Sequence, residues 1–138
     1  MATTMDDDSN VTPNMQLKTI TEAELIGNIP TDFSITCFEN CIFVVITQFG
    51  KLGTLVHITK DVPHEVNCST DDRAVFSTKV IFGNDESYVH AAARYLVSLM
   101  ETSKTVLLAI ALKDWDKDTV ITIGNRAKQV FQKALVGV

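Results

Sequence analysis

The residues in this chain whose types and spacing could do chemistry fall into a few short groups. Gly50-Lys51-Leu52-Gly53-Thr54 invites comparison with a phosphate-binding loop. Such a loop needs four residues between its glycines, then Lys and Ser/Thr leading into a helix. Here two residues separate the glycines, Lys51 precedes the second, and the strand-forming Leu55-Val56-His57-Ile58 follows. A tip shaped for packing or contact is the better account. Asp114, Asp116 and Asp118 are spaced like the start of a calcium loop, but Thr119, Val120 and Ile121 follow, with no terminal glutamate. A solvated turn capping a helix through Asp116 or Asp118 explains them. Cys37 and Cys41 lack a second Cys/His pair at zinc spacing, so no metal set is expected. Cys68 shares a loop with His64 and could form a Cys/His pair, yet no orienting third group or oxyanion site is legible. His57 and His90 read as local hydrogen-bonding residues. No catalytic, cofactor or metal residue is assigned.

The elements that must position these residues follow from periodicity. Thr19 to Gly27 reads as a weak first strand. Thr31 to Phe38 alternates, with Phe33, Ile35 and Cys37 on one face and Asp32, Ser34 and Thr36 on the other. Glu39-Asn40 turns into Cys41-Ile-Phe-Val-Val-Ile46, a strand apolar on both faces, which must be covered on both. Leu55 to Ile58 is again strand-like. Gly50 and Gly53 therefore bracket a reversal, predicting a buried hairpin whose tip presents Phe49, Lys51 and Leu52. Lys60 to Arg73 is a polar connection longer than most in compact domains, and such loops are usually functional or disordered. Ala74 to Phe82 returns as a strand with Phe76, Val80 and Phe82 inward. Asn84 or Asp85 can cap a helix reaching about Ser103, whose stripe is Val89, Ala92, Ala93, Leu96 and Met100. Val106 to Leu112 is a second strand apolar on both faces. Thr119 to Ile123 favours strand by composition, but Val120, Ile123, Ala127, Val130, Phe131 and Ala134 keep helical spacing, so a helix is expected despite Gly124.

The order is thus five strands, a helix, a strand and a helix. That predicts an α+β domain: a mostly antiparallel sheet of about six strands with two helices packed on one face, dimerising. Two helices cover one face only, while two strands are apolar on both. The second face must meet another subunit, unless the sheet folds over on itself.

Three blocks in this order, VVITQFGKLGTLVHI, STKVIFGNDESYVH (Ser77 to His90) and TVLLAIALKD (Thr105 to Asp114), resemble the proteasome assembly chaperone 3 family of eukaryotes. With their spacing, the resemblance covers residues 30–116; the N-terminal segment and last helix match less well. It implies a chaperone without cofactor that binds free α-type subunits of the 20S proteasome and promotes α-ring assembly. It also implies a dimer, with a proteasome assembly chaperone 4-like partner or with itself, in the cytoplasm and also the nucleus. The alternative class is a small-ligand binder or thiol enzyme with a pocket under the 60–73 loop.

Bulk properties fit. With 138 residues and 46% hydrophobic content, one domain is expected over 16–138, after a disordered acidic tail over 1–15 that holds Asp6, Asp7 and Asp8. No secretory leader follows Met1 and no apolar run approaches a membrane span, so a soluble intracellular protein is expected. Three cysteines without framework spacing suit a reducing compartment. The net charge of −5 argues against nucleic acid. Residues 1–72 carry 3 basic and 11 acidic groups, whereas 73–138 carry 9 basic and 6 acidic ones. This asymmetry could steer a charged partner, or simply reflect a solvated surface with an acidic tail. The candidate partner contacts are Lys60, Asp61, Glu65, Asp71, Asp72 and Arg73 of the long loop, aided by Phe49, Lys51 and Leu52 at the tip.

Overall fold

Alternation in the early segments and unbroken apolar runs in the central ones become a single six-stranded sheet. The computed structural model describes residues 18–61 and 75–136. Its elements are β1 (Lys18–Ile26), β2 (Ile29–Cys37), β3 (Cys41–Thr47), β4 (Thr54–Asp61), β5 (Val75–Phe82), α1 (Ser87–Met100), β6 (Thr105–Ala111) and α2 (Lys117–Val136). The expected acidic tail and most of the 60–73 loop lie outside the described residues.

The spatial order is β1-β2-β3-β6-β4-β5. All neighbours are antiparallel except β3 and β6, which run parallel with Ile42 opposite Val106 and Ile46 opposite Ile110. The α+β class and the mostly antiparallel sheet are as expected. The buried hairpin is not. β6 lies between β3 and β4, so their connection crosses over the end of β6 instead of turning between neighbours. Local turn signals cannot distinguish these arrangements, because the inserted strand lies some fifty residues downstream in the sequence.

One face of the sheet is the core. Phe33 and Ile35 of β2, Ile42, Val44 and Ile46 of β3, Val106, Leu108 and Ile110 of β6, and Val56 and Ile58 of β4 are all buried there. They pack with the apolar stripes of both helices in one cluster. Val89, Ala92, Ala93, Leu96 and Met100 of α1 are buried as their spacing predicts. The last segment is indeed helix, with Ile123, Ala127, Val130, Phe131 and Ala134 buried. Helical burial of an amphipathic stripe here outweighs the β preference of Thr119–Ile123. Gly124 is explained by space: a Cβ there would lie 2.7 Å from Tyr95 Cε2 and 3.0 Å from Leu99 Cδ1, so α1 and α2 meet closely over it.

Two local expectations are corrected. Phe82 is exposed, not inward, because the β4–β5 register shifts between Leu55 and Val56 and turns the end of β5 over. Helix α1 is capped by Glu86 without a side-chain bond, not by Asn84 or Asp85. Asp85 pairs instead with His90, and Asn84 N donates to Thr54 Oγ1 at 3.0 Å.

Candidate functional site

The crossover segment between β3 and β4 is built tightly on the end of β6. Gln48 is buried; its backbone N donates to Ala111 O at 2.8 Å. Its side chain donates through Nε2 to Thr31 Oγ1 at 3.0 Å and accepts from Lys113 N at 2.8 Å. One glutamine thus ties the start of β2, the end of β3 and the exit of β6. Gly53 completes the fit: at φ +71° a Cβ would stand 2.5 Å from Ala111 Cβ and 2.6 Å from Ile110 O. Thr47 Oγ1 accepts from Phe49 N at 3.1 Å and from Lys51 N at 3.2 Å, ordering the tip. Phe49 and Leu52 are 51% and 46% exposed on this platform. The Lys51 and Lys113 ammonium groups stand 5.7 and 5.4 Å from the Phe49 ring centroid, within cation–π range.

Lys60 and Asp61 close β4 at its other end and are exposed; Ser77 Oγ donates to Asp61 Oδ2 at 2.5 Å. The remaining loop candidates, Glu65, Asp71, Asp72 and Arg73, lie outside the described residues, as do His64 and Cys68. Of the loop candidates, the described Lys60 and Asp61 are not brought together with the tip. Thr54 and Asp61 are opposite ends of β4, about 23 Å apart at ~3.3 Å per residue. The tip therefore lies at the end of β4 opposite Lys60 and Asp61.

The second sheet face is open among the described residues. Register places Phe43 and Val45 of β3, Leu107 and Ala109 of β6, and Leu55 and His57 of β4 together at its centre. Phe43, Val45, Leu107 and Leu55 are only half-buried, although they occupy the middle of the sheet. Thr19, Thr36 and Ser34 flank them on the β1–β2 side and Ser77 and Lys79 on the β5 side. An apolar centre with a polar rim is the composition of a protein interface. Two-sided apolarity in the sequence foretold this face, but which of its residues stay partly open needed the strand order.

Of the chemical alternatives, the Cys68/His64 pair lies outside the described residues. Burial pushes the Cys37 thiol up, against the opposing charge of Lys104, which disfavours the thiolate a nucleophile requires. No cluster of three or more His, Cys, Asp or Glu is placed to hold a metal among the described residues. Asp114 closes its own turn, accepting from Asp116 N at 2.9 Å and Thr119 Oγ1 at 3.1 Å. Asp116 directly precedes α2, at the cap position expected of it, and Asp118 lies in its first turn. His90 lies between Thr78 Oγ1 and Asp85 Oδ1, both at 2.6 Å, while Arg94 Nη1 donates to the same threonine oxygen at 3.1 Å. With the carboxylate as acceptor, Nε2 carries the proton and the threonine hydroxyl donates to Nδ1. The order hydroxyl, imidazole, carboxylate is that of an activated nucleophile, but the guanidinium draws on the oxygen lone pair that would attack. Asp85 is moreover 71% exposed. The chain of bonds is a clamp between β5 and α1.

At the opposite edge, Glu22 and Glu24 of β1 face α2. Arg126 Nη2 lies 2.6 Å from Glu22 Oε1, Lys133 Nζ 2.5 Å from Glu22 Oε2, and Arg126 Nε 2.5 Å from Glu24 Oε1, the last without hydrogen-bond geometry. The Lys133 hydrogen bond lowers the Glu22 pKa first; partial burial opposes it, and the charges of Lys133 and Arg126 add to the lowering.

Similarity to known proteins agrees with this geometry. The family model described as proteasome assembly chaperone 3 matches residues 44–130. Proteasome assembly chaperone 3 of Homo sapiens is 40% identical over 96 residues, which span 67% of this chain and 75% of the human one. Its counterpart in Nematostella vectensis is 32% identical over 117 residues, spanning 80% of this chain and 86% of that one. Among solved structures, a chain of "Crystal Structure of a Novel Chaperone Complex for Yeast 20S Proteasome Assembly" superposes with a TM-score of 0.66 over 85% of this chain and 99% of its own. At 13% identity, that likeness is one of fold.

Proposed function

This chain belongs to the proteasome assembly chaperone 3 family, and from that membership we propose that it is a dedicated, non-enzymatic chaperone of 20S proteasome assembly. It binds free α-type subunits, promotes formation of the α ring and leaves the maturing particle. It acts as a dimer, with a second copy or with a proteasome assembly chaperone 4-like partner, in the cytoplasm and nucleus. The observation that supports this best is the open sheet face, whose apolar centre around Phe43, Val45, Leu107 and Leu55 has no cover from the described chain. A stable pairing there should bury about 1,200 Å² or more in total.

The client contact is assigned to the Lys60–Arg73 connection, whose charges leave a net of −2 and suit a basic surface on the α subunit. The test is co-purification of tagged protein with α-type subunits, followed by subunit identification and native mass spectrometry. Recovery of α subunits with a dimeric chaperone and no small molecule is expected. A tightly bound metabolite without any proteasome subunit would overturn the reading in favour of a ligand-binding protein.

A further inference from the structure

Most of the large apolar side chains that the described residues leave exposed gather at one end of the sheet. Leu25 is the penultimate residue of β1, Phe49 and Leu52 lie on the crossover, Ile81 and Phe82 end β5, and Tyr88 lies in the first turn of α1. Four connections meet there: β1 to β2, β3 to β4, β5 to α1 and β6 to α2. Exposed apolar side chains concentrated in one region mark an interaction site more often than scattered ones do.

The centre of this end is preorganised. Gln48 and Gly53 clamp the crossover on β6, and the Thr47 hydroxyl holds the backbone at Phe49 and Lys51. Phe49 is thus presented outward from a backbone that is already ordered, which lowers the ordering penalty on binding. Two ammonium groups, Lys51 and Lys113, flank its ring at 5.7 and 5.4 Å, and neither has a carboxylate partner among the described residues. Two like charges held about one ring repel each other, and a carboxylate brought between them relieves that repulsion. Of the carboxylates at this end, Asp32, Glu86 and Asp116 are exposed and form no ion pair with either lysine, and others are engaged. Asp85 bonds His90, Asp114 closes its own turn, and Asp118 lies in the first turn of α2.

We infer that the crossover end is a second docking surface, which takes an acidic protein segment bearing a large apolar side chain. The apolar group packs on Phe49 and Leu52 while carboxylates meet Lys51 and Lys113. This surface is distinct from the acidic 60–73 connection. It lies at the end of β4 opposite Lys60 and Asp61 and asks for a charge opposite to that suited to the 60–73 segment.

The test titrates the full-length chain with a short labelled peptide in which Asp and Glu flank a Leu-Phe pair. The same peptide with Asn and Gln serves as control. Amide NMR shifts should be saturable and centred on Phe49, Lys51, Leu52 and Lys113. Affinity should fall about tenfold or more in Phe49→Ala, in the Lys51→Glu, Lys113→Glu double variant, and for the amide peptide. All these side chains are exposed, and an unchanged amide spectrum away from the tip confirms folding. Equal binding of the amide peptide, or undiminished binding by Phe49→Ala, overturns the inference. So does a gain of about tenfold or more on removing residues 1–17, because the occupant would then be the chain's own acidic segment. These readouts need no proteasome subunit, so failure of α-subunit binding would leave them standing.

Discussion

Gly53 is the residue on which the crossover depends. Replacement by Ala puts a methyl 2.5 Å from Ala111 Cβ and 2.6 Å from a backbone oxygen, at a positive φ. Neither neighbour is a flexible side-chain end, so Gly53→Ala should lose about 2–4 kcal/mol in urea unfolding. Gly50→Ala is the control: φ is +72° but nothing lies within 4 Å, and a loss of about 1 kcal/mol is expected. Equal losses would show that backbone strain alone, and not the approach to β6, demands glycine. At the other edge, Glu22 supplies a pH dependence. Its carboxyl is held below the usual range, chiefly by the Lys133 hydrogen bond. A depressed carboxylate contributes stability that is complete above its unfolded pKa of about 4.3 and disappears as pH falls through the folded value. Glu22→Gln should therefore lower the melting temperature at neutral pH, and the gap from wild type should close on acidification below about pH 4. A gap that persists in acid would assign the effect to packing instead.

At the scale of elements, the two helices are joined at Gly124. An exposed helical Gly→Ala change would gain about 1 kcal/mol from propensity. Here the new methyl would meet the Tyr95 ring at 2.7 Å and Leu99 and Leu96 at 3.0 and 3.2 Å. Overpacking of that kind costs about 1–3 kcal/mol, so the net change should be destabilising. Chemical denaturation of Gly124→Ala decides the sign, and a stabilised variant would mean that the helices separate easily. Their register against each other, invisible in either helix alone, is what turns a poor helix former into the right residue.

For the whole molecule, the open sheet face is decisive. Leu107 lies at its centre, half-buried, with its neighbours Val106 and Leu108 directed into the core. Leu107→Asp leaves that core untouched but places a charge in the middle of the apolar patch. The variant should remain folded by circular dichroism and run as a monomer in light scattering where the wild type runs as a dimer. A variant that stays dimeric would move the subunit interface elsewhere, and a monomeric wild type would remove the proposal altogether. Replacing residues 62–72 by a Gly-Ser linker is the companion experiment at the far end. α-Subunit binding should weaken, and in the wild type it should decline as salt rises through the screening range. Unchanged affinity would place the client contact elsewhere, most directly on the helical face around Arg94 or Arg126.

Local patterns determined a great deal of this protein. The alternation in Thr31–Cys37, the two apolar runs and the helical stripes from Val89 to Met100 and from Ile123 to Ala134 yielded the elements and their order. They also predicted a sheet with one face left over, because the burial preference of a side chain is a property of its own segment. The long connection expected after β4 lies, beyond Asp61, outside the described structure. Strand order was not legible. Insertion of β6 between β3 and β4 is a pairing across distant sequence, settled by which edge best covers Val106–Ala111. That insertion turned a supposed hairpin into a crossover and gave Gln48 and Gly53 their roles. It also recruited Lys113, which no local signal connects to Phe49. A one-residue register shift likewise turned Phe82 outward. Side-chain periodicity selects faces, but only the assembled sheet decides which faces meet.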